Sequence, residues 1–397
     1  MLPFLQFIIA IAIIIIAAKM GGYLSYRLKQ PTVVGEVIAG LILGPTVLNF
    51  LHWPVFTNEH LGETITLLAE LGVLLLMFIA GLELHLSDLA RSGKVAVLAG
   101  AMGFIAPLVM GFALAMAFSF SLHQAIFIGL ILAPTSVSIS AQTLMELKVL
   151  RSKVGVSLLG AAVVDDILVV LGVSVFLALL GGGAGGGLAS VLLILLKMIL
   201  YLVIATALGL WLLPKLCSLI EKLPISQGLI AFTFVTVLLY SWAAESLGHM
   251  ATIIGAFLAG LLFARSPLKE RIEEGFLPLA YGVFVPIFFV GVGLSADLRQ
   301  LFSTEGIWLL VSMFVTAVIS KIIGAGLAGR LGGLTNREAA QLGAGMIPRG
   351  EVVLIVITIG ITEGLIGLDI FSAAVGMVVL ATLVAPIMLR SLFPKPT

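Results

Sequence analysis

Charge is what this sequence has least of. Only 10% of its 397 residues are Asp, Glu, Lys or Arg, against about 25% in a soluble globular domain, and few long polar stretches separate its apolar runs. A soluble protein is excluded. The balance of 21 basic against 20 acidic residues leaves no surplus with which to hold nucleic acid. The one cysteine, Cys217, excludes an intramolecular disulfide and a cysteine metal cluster. There is no Gly-rich loop ending in Lys-Ser/Thr, and the polar connections are too short for an ATP-hydrolysing domain, so neither a nucleotide nor a cofactor is expected. All five histidines, His52, His60, His85, His123 and His249, fall in connections or at helix ends, which argues against a histidine metal site or proton relay. Met1 leads into an apolar run with no basic segment before it, so no cleaved secretory signal is expected.

What is there is hydrophobic, 61% of the chain, with 44 glycines. A bilayer core about 30 Å thick takes about 20 apolar residues per helix, and the apolar runs predict an all-α polytopic membrane protein of about thirteen spans. They fall at 4–22, 31–51, 64–84, 94–119, 124–147, 152–180, 188–213, 226–247, 250–264, 279–296, 306–331, 338–361 and 368–392. A flexible run, Gly181-Gly182-Gly183-Ala184-Gly185-Gly186-Gly187, separates the sixth from the seventh.

The basic residues test this segmentation, because cytoplasmic connections collect Lys and Arg. Alternate connections hold Arg27 and Lys29; Arg91 and Lys94; Lys148, Arg151 and Lys153; Lys215 and Lys222; Arg265, Lys269 and Arg271; Arg330 and Arg337; and Arg390 and Lys395. The other set holds Arg299 alone. The N-terminus is therefore expected outside and the C-terminus in the cytoplasm. Lys19, Lys197, Lys321 and Arg349 fall inside spans, and Lys197 is expected to snorkel to the outer interface.

The sequence also repeats itself. Val33-Val34-Gly35-Glu36-Val37-Ile38-Ala39-Gly40-Leu41 in the second span matches Ile253-Ile254-Gly255-Ala256-Phe257-Leu258-Ala259-Gly260-Leu261 in the ninth. Gly81-Leu82 ending the third matches Gly293-Leu294 ending the tenth, and Pro134 in the fifth falls opposite Pro348 in the twelfth. Matching spans are seven apart, an odd number, so the copies enter the membrane in opposite senses. This predicts two inverted six-helix repeats joined by a linker helix, an arrangement typical of secondary transporters.

Chemistry concentrates in four places. Pro134-Thr135-Ser136 interrupts the fifth span and Pro348-Arg349-Gly350-Glu351 the twelfth. Proline removes a donor and clashes with the preceding turn, so both helices are expected to unwind, and broken backbone at membrane depth belongs where it lines a cavity or is buried in protein. Symmetric interruptions point to a substrate site. Asp165 and Asp166 sit amid apolar residues of the sixth span, where each charge costs about 2.5–3.5 kcal/mol even on the lenient insertion scale. Neighbouring helix residues point about 100° apart, which suits one carboxylate to an aqueous cavity and the other to a buried partner, for which Lys321 is the cationic candidate. The bland alternative is an inert ion network holding helices in register. Glu36, Glu70 and Glu245 are further intramembrane carboxylates that could line a pathway or lie near helix ends, and Glu83 is placed at a membrane boundary.

Gly160-Ala161-Ala162-Val163-Val164-Asp165-Asp166, Pro134-Thr135-Ser136-Val137, Lys321 and Gly345-Met346-Ile347-Pro348-Arg349-Gly350-Glu351-Val352 together resemble the monovalent cation/proton antiporter-2 family, specifically its bacterial sodium/proton antiporters, from about Gln30 to Pro386. The resemblance implies a homodimer in the bacterial inner membrane, with two crossed discontinuous helices. It implies a core transport bundle (94–180 and 306–392) moving against a dimerisation bundle (1–84 and 226–296), with 188–213 as linker helix. It further implies that Asp166 binds the cation, Na+ or Li+, and the proton, with Thr135 and Ser136 nearby. It also implies that Asp165 pairs with Lys321, which is expected to act as a second proton carrier, and Glu351, Arg349, Pro134 and Pro348 are expected to support the core. Electroneutral relatives carry Asn at the position of Asp165, so an electrogenic exchange of two protons per cation is implied. The His-Gln-Asp triplet of glutathione-gated potassium relatives is absent.

Competition between cation and proton for one carboxylate gives antiport without a nucleotide. A K+/H+ antiporter, a channel or sensor on the same fold and an organic-anion symporter remain alternatives, and an enzyme is not expected. An intramembrane aspartyl protease needs two carboxylates facing one another across a shared proton, whereas Asp165 and Asp166 splay apart on one helix.

Overall fold

The computed structural model describes residues 2–84, 92–180, 188–295, 299 and 304–393. His85, Arg91, the glycine run at 181–187 and Lys395 lie outside the described residues, as does the side chain of Glu351. Helices α1 (Pro3–Arg27), α2 (Thr32–Leu43), α3 (Leu61–Leu82) and α4 (Gly93–Ala117) are followed by two half-length segments, α5 (Leu122–Leu132) and α6 (Val137–Glu146). Then come α7 (Lys153–Leu180), the long α8 (Leu188–Glu221), α9 (Gly228–Ser246) and α10 (Thr252–Phe263). Helix α11 (Lys269–Leu294) contains a π-helical turn at Ala280–Phe284. Helix α12 (Thr304–Leu331), a second pair of halves, α13 (Asn336–Gly345) and α14 (Glu351–Thr362), and α15 (Leu368–Leu392) complete the chain.

Ten spans among the described residues are long and apolar enough to cross a bilayer, α5 and α6 together making one of them. Helices α2 and α10 and the α13–α14 pair bring the crossings to thirteen, and the chain is a multi-pass membrane protein. Three spans differ most from the sequence expectation. The second helix stops at Leu43 rather than near residue 51, because Pro45 disfavours helical backbone at Gly44, which is extended at φ −70°, ψ −178°. The seventh continues through Pro214 to Glu221, as membrane helices tolerate proline where other groups satisfy the freed carbonyl. The tenth begins at Lys269, ten residues early: its first turns are charged, but Ile272 and Phe276, four apart, are buried and hold them in helical register.

Helix contacts fall into two sets. Helices α1, α2, α3, α9, α10 and α11 pack on one another, and α4, α5, α7, α12, α13 and α15 do the same, with α8 touching α7, α9 and α10. The sequence repeat explains the first set. A methyl group at Gly40 of α2 would strike the carbonyl oxygen of Val290, and one at Gly293 of α11 that of Val37. In the other copy, a methyl at Gly260 of α10 would strike the Phe78 oxygen and one at Gly81 of α3 the Phe257 oxygen. Each matched glycine of one repeat meets a matched glycine's helix from the other. Without a water-driven force between helices in lipid, such backbone-close packing supplies the attraction.

Helices α6 and α15 form the seam between the sets, packing against α2 and α3.

Candidate functional site

Both interrupted helices unwind where their prolines fall, over residues 133–136 and 346–350, and the two breaks cross. The Ser136 amide donates to the Pro348 carbonyl at 2.8 Å. The Thr135 hydroxyl donates to the Met346 carbonyl at 3.3 Å and the Ser140 hydroxyl to the Gly345 carbonyl at 2.5 Å. The Ser136 and Ser138 hydroxyls lie 3.1 Å apart. Proline forces the unwinding, and hydroxyls placed just after it serve the carbonyls that the opposite break releases.

Arg349 is wholly buried. Its guanidinium donates to the carbonyls of Met346 at 3.2 Å and Ala317 at 3.5 Å. Its own carbonyl accepts from the Thr382 hydroxyl of α15 at 2.8 Å. The second break is therefore clasped by side chains from within and from the last helix. Glu351 opens α14, and Pro134 and Pro348 stand inside the two breaks.

Helix α7 runs beside the crossing and carries Asp165 and Asp166. Gly100 of α4 lies against the Ala161 carbonyl of α7 at 2.6 Å from where a Cβ would sit, and Gly324 of α12 against the Met102 carbonyl of α4 at 2.5 Å. These approaches draw α7 and α12 onto α4. Lys321 Nζ lies 3.1 Å from Asp165 Oδ2 and 3.3 Å from Oδ1, with neither side chain exposed. Arg349 adds a second positive charge to the field at Asp165.

Asp166 points elsewhere. It is 3% exposed and borders a void of about 10 Å³ shared with Val137, Leu159 and Val163 on its own side and Met77, Ile253 and Phe257 across the seam. That volume holds about one water molecule. The two carboxylates thus occupy different surroundings, one in an ion pair within the set containing α7 and α12 and one at the boundary between the sets.

The remaining intramembrane charges separate. Glu70 and Glu245 are exposed on the outer surface of the bundle, whereas Glu36 is 7% exposed. Lys197 Nζ lies 3.1 Å from His249 Nε2. Thr382 and the apolar wall of Met77, Ile253 and Phe257 were not singled out in the sequence. Thr382 had no local signal, being one hydroxyl in an ordinary apolar helix; Ile253 and Phe257 lay within the repeat, whose register could have suggested them.

With this geometry in hand, comparisons with known proteins are specific. Residues 11–395 match the sodium/hydrogen exchanger, transmembrane family. The chain is 35% identical to the Na(+)/H(+)-K(+) antiporter GerN of Bacillus cereus, over 98% of this chain and 96% of that one. It is 36% identical to a Na(+)/H(+) antiporter of Enterococcus hirae, over 97% and 98%. The sodium proton antiporter MjNhaP1 of Methanocaldococcus jannaschii, at pH 8, shares the fold with a TM-score of 0.72 at 17% identity, covering 98% of this chain and 97% of that one. With residues 11–395 matched by the family and two relatives at 35% and 36% identity over nearly the whole chain, the protein belongs to the sodium/hydrogen exchanger family.

Proposed function

We propose that the protein is a secondary active antiporter exchanging Na+, and Li+ at the same site, for protons across the cytoplasmic membrane of a bacterium. Asp166 holds the cation and the proton in turn. Helices α4–α7 and α12–α15 form the transport core, which moves against a dimerisation bundle of α1–α3 and α9–α11 in a homodimer, with α8 as the linker. The N-terminus lies outside and the C-terminus in the cytoplasm. The observation that carries this reading is the seam position of Asp166 beside the buried Asp165–Lys321 pair.

The chain's own residues supply the steps. A bare Na+ prefers hard oxygen ligands; the Asp166 carboxylate supplies charge, and oxygens of Thr135, Ser136 and the unwound backbone replace lost water. Core movement then carries the occupied site to the other side, where a proton replaces the cation. When the cation occupies Asp166, the Asp165–Lys321 pair opens, and a buried ammonium without its counter-ion gives its proton to water. Two protons then return for each cation, moving one net charge. Arg349 and Thr382 keep the second break in shape throughout.

The test is Na+-, Li+- or K+-driven proton movement in proteoliposomes under a set pH gradient. Na+ and Li+ are expected to drive exchange in the wild type, and Asp166→Asn to abolish it while the protein stays folded. Exchange at the wild-type rate by Asp166→Asn would remove the assignment. Because the GerN relative is named for K+ as well as Na+, K+-driven exchange at a comparable rate would favour the second reading, a K+/H+ antiporter on the same site.

A further inference from the structure

A second polar cavity, of about 360 Å³, lies away from Asp166 between α1, α2, α6 and α11. Its walls carry Lys19, Thr32, Glu36, Gln142 and Tyr281. It is more than thirty times the volume of the void at Asp166, and so has room for a hydrated ion. Its lining includes Tyr26 and Thr32, at the adjoining ends of α1 and α2.

Two oxygen-bearing side chains border it. Glu36 is 7% exposed and Gln142 6%, yet the Gln142 amide oxygen has no hydrogen-bond partner, and the Glu36 carboxylate lines the cavity with none among the described contacts. The orientation of Gln142 is fixed: its amide nitrogen donates to Glu146 at 3.0 Å, and only nitrogen can face that carboxylate. Glu146 is itself committed, accepting from the amide of Thr32 at 2.9 Å and from the Thr32 hydroxyl. Gly22 of α1 adjoins Glu36; a Cβ there would lie in ordinary contact, 3.4 Å from Glu36 Oε1. The competing cation, Lys19, donates at 2.6 Å to the Tyr281 carbonyl in the π-helical turn of α11, a kind of turn found frequently at functional sites.

We propose that this cavity is a loading site for a partly hydrated monovalent cation, ligated by Glu36 and the Gln142 amide oxygen and separate from Asp166. It rests on the antiport reading for its purpose but not for its existence. Helix α6 connects the two places: Val137 borders the Asp166 void and Gln142 borders the cavity, five residues or about 7.5 Å along the helix. The cavity therefore borders the same seam helix as the Asp166 void, about 1.4 turns further along it.

The test is equilibrium binding of 22Na+ to the purified full-length chain, which needs no transport. Asp166→Asn is expected to keep a saturable 22Na+ signal, and adding Glu36→Gln to remove it or raise its half-saturating concentration at least fivefold. Loss of all binding in Asp166→Asn alone, or a residual signal indifferent to Glu36→Gln, would overturn the proposal. Lys19→Gln, at an exposed position, covers the case in which Glu36→Gln does not fold. Placed in the Asp166→Asn background, it removes the rival cation and is expected to lower the half-saturating Na+ concentration about threefold; no change would again refute the site. Failure of exchange in wild-type proteoliposomes would instead remove the antiport reading and leave this binding result standing.

Discussion

The amide of Ser136 donates to the carbonyl of Pro348 at 2.8 Å, so the two interrupted spans are joined backbone to backbone, each break using a group the other has set free. Gly350 makes room for this contact. Its missing side chain would have put Cβ 2.6 Å from the Ser136 hydroxyl oxygen and 2.8 Å from the Ser136 Cβ. Gly350→Ala is therefore expected to push the breaks apart, costing about 1–3 kcal/mol as overpacking does. The measurements are the melting temperature in detergent and the exchange rate, and both should fall. An unshifted melting temperature would mean that the crossing is looser than its geometry indicates.

Thr135 donates to the Met346 carbonyl at 3.3 Å, a long bond that a cation could readily replace. Thr135→Val keeps the shape and removes the oxygen. Half-saturating Na+ at fixed pH should rise severalfold while the maximal rate changes less. An unchanged half-saturation would leave Thr135 a shaper of the break rather than a ligand.

The Lys321–Asp165 pair has no exposed atom to soften its loss. Removing one partner of a buried pair costs about 3–5 kcal/mol, because the other charge is stranded. Lys321→Met and Asp165→Asn are each expected to lower the melting temperature more than the double substitution does. The functional consequence is separate: in the wild type with no pH gradient, a potassium-diffusion potential set by valinomycin should drive proton movement coupled to Na+. One charge per cycle is worth about 2.3 kcal/mol per 100 mV. Indifference to the potential in an active protein would leave the pair as scaffold.

Gly40 and Gly260 occupy matching places in the two repeats, and a methyl on either would strike a carbonyl of a neighbouring helix. Alanine at each is expected to destabilise the protein by similar amounts, and Gly282→Ala, with nothing within 4 Å of its Cβ position, to have little effect. Thermal unfolding of the three variants in one detergent checks this. Strongly unequal losses at Gly40 and Gly260 would show that the repeat symmetry does not extend to the energetics.

By itself the sequence determined the class, the span count, the inverted repeat and the places where two helices break. Those features follow from local chemistry: hydrocarbon demands long apolar runs, proline cannot continue a hydrogen-bonded turn, and a repeated glycine register betrays a repeated close contact. Helix ends were less legible, because the charged start of α11 looks like a connection until Ile272 and Phe276 are seen buried together. Only the tertiary structure decided which groups meet. Thr382 reaches Arg349 from 33 residues away and Lys321 reaches Asp165 from 156. Glu36 is buried against a cavity while Glu70, equally isolated in its apolar run, faces outward. A carboxylate in an apolar run has the same cost wherever it points; its partner, and so its role, depends on helices distant in the chain.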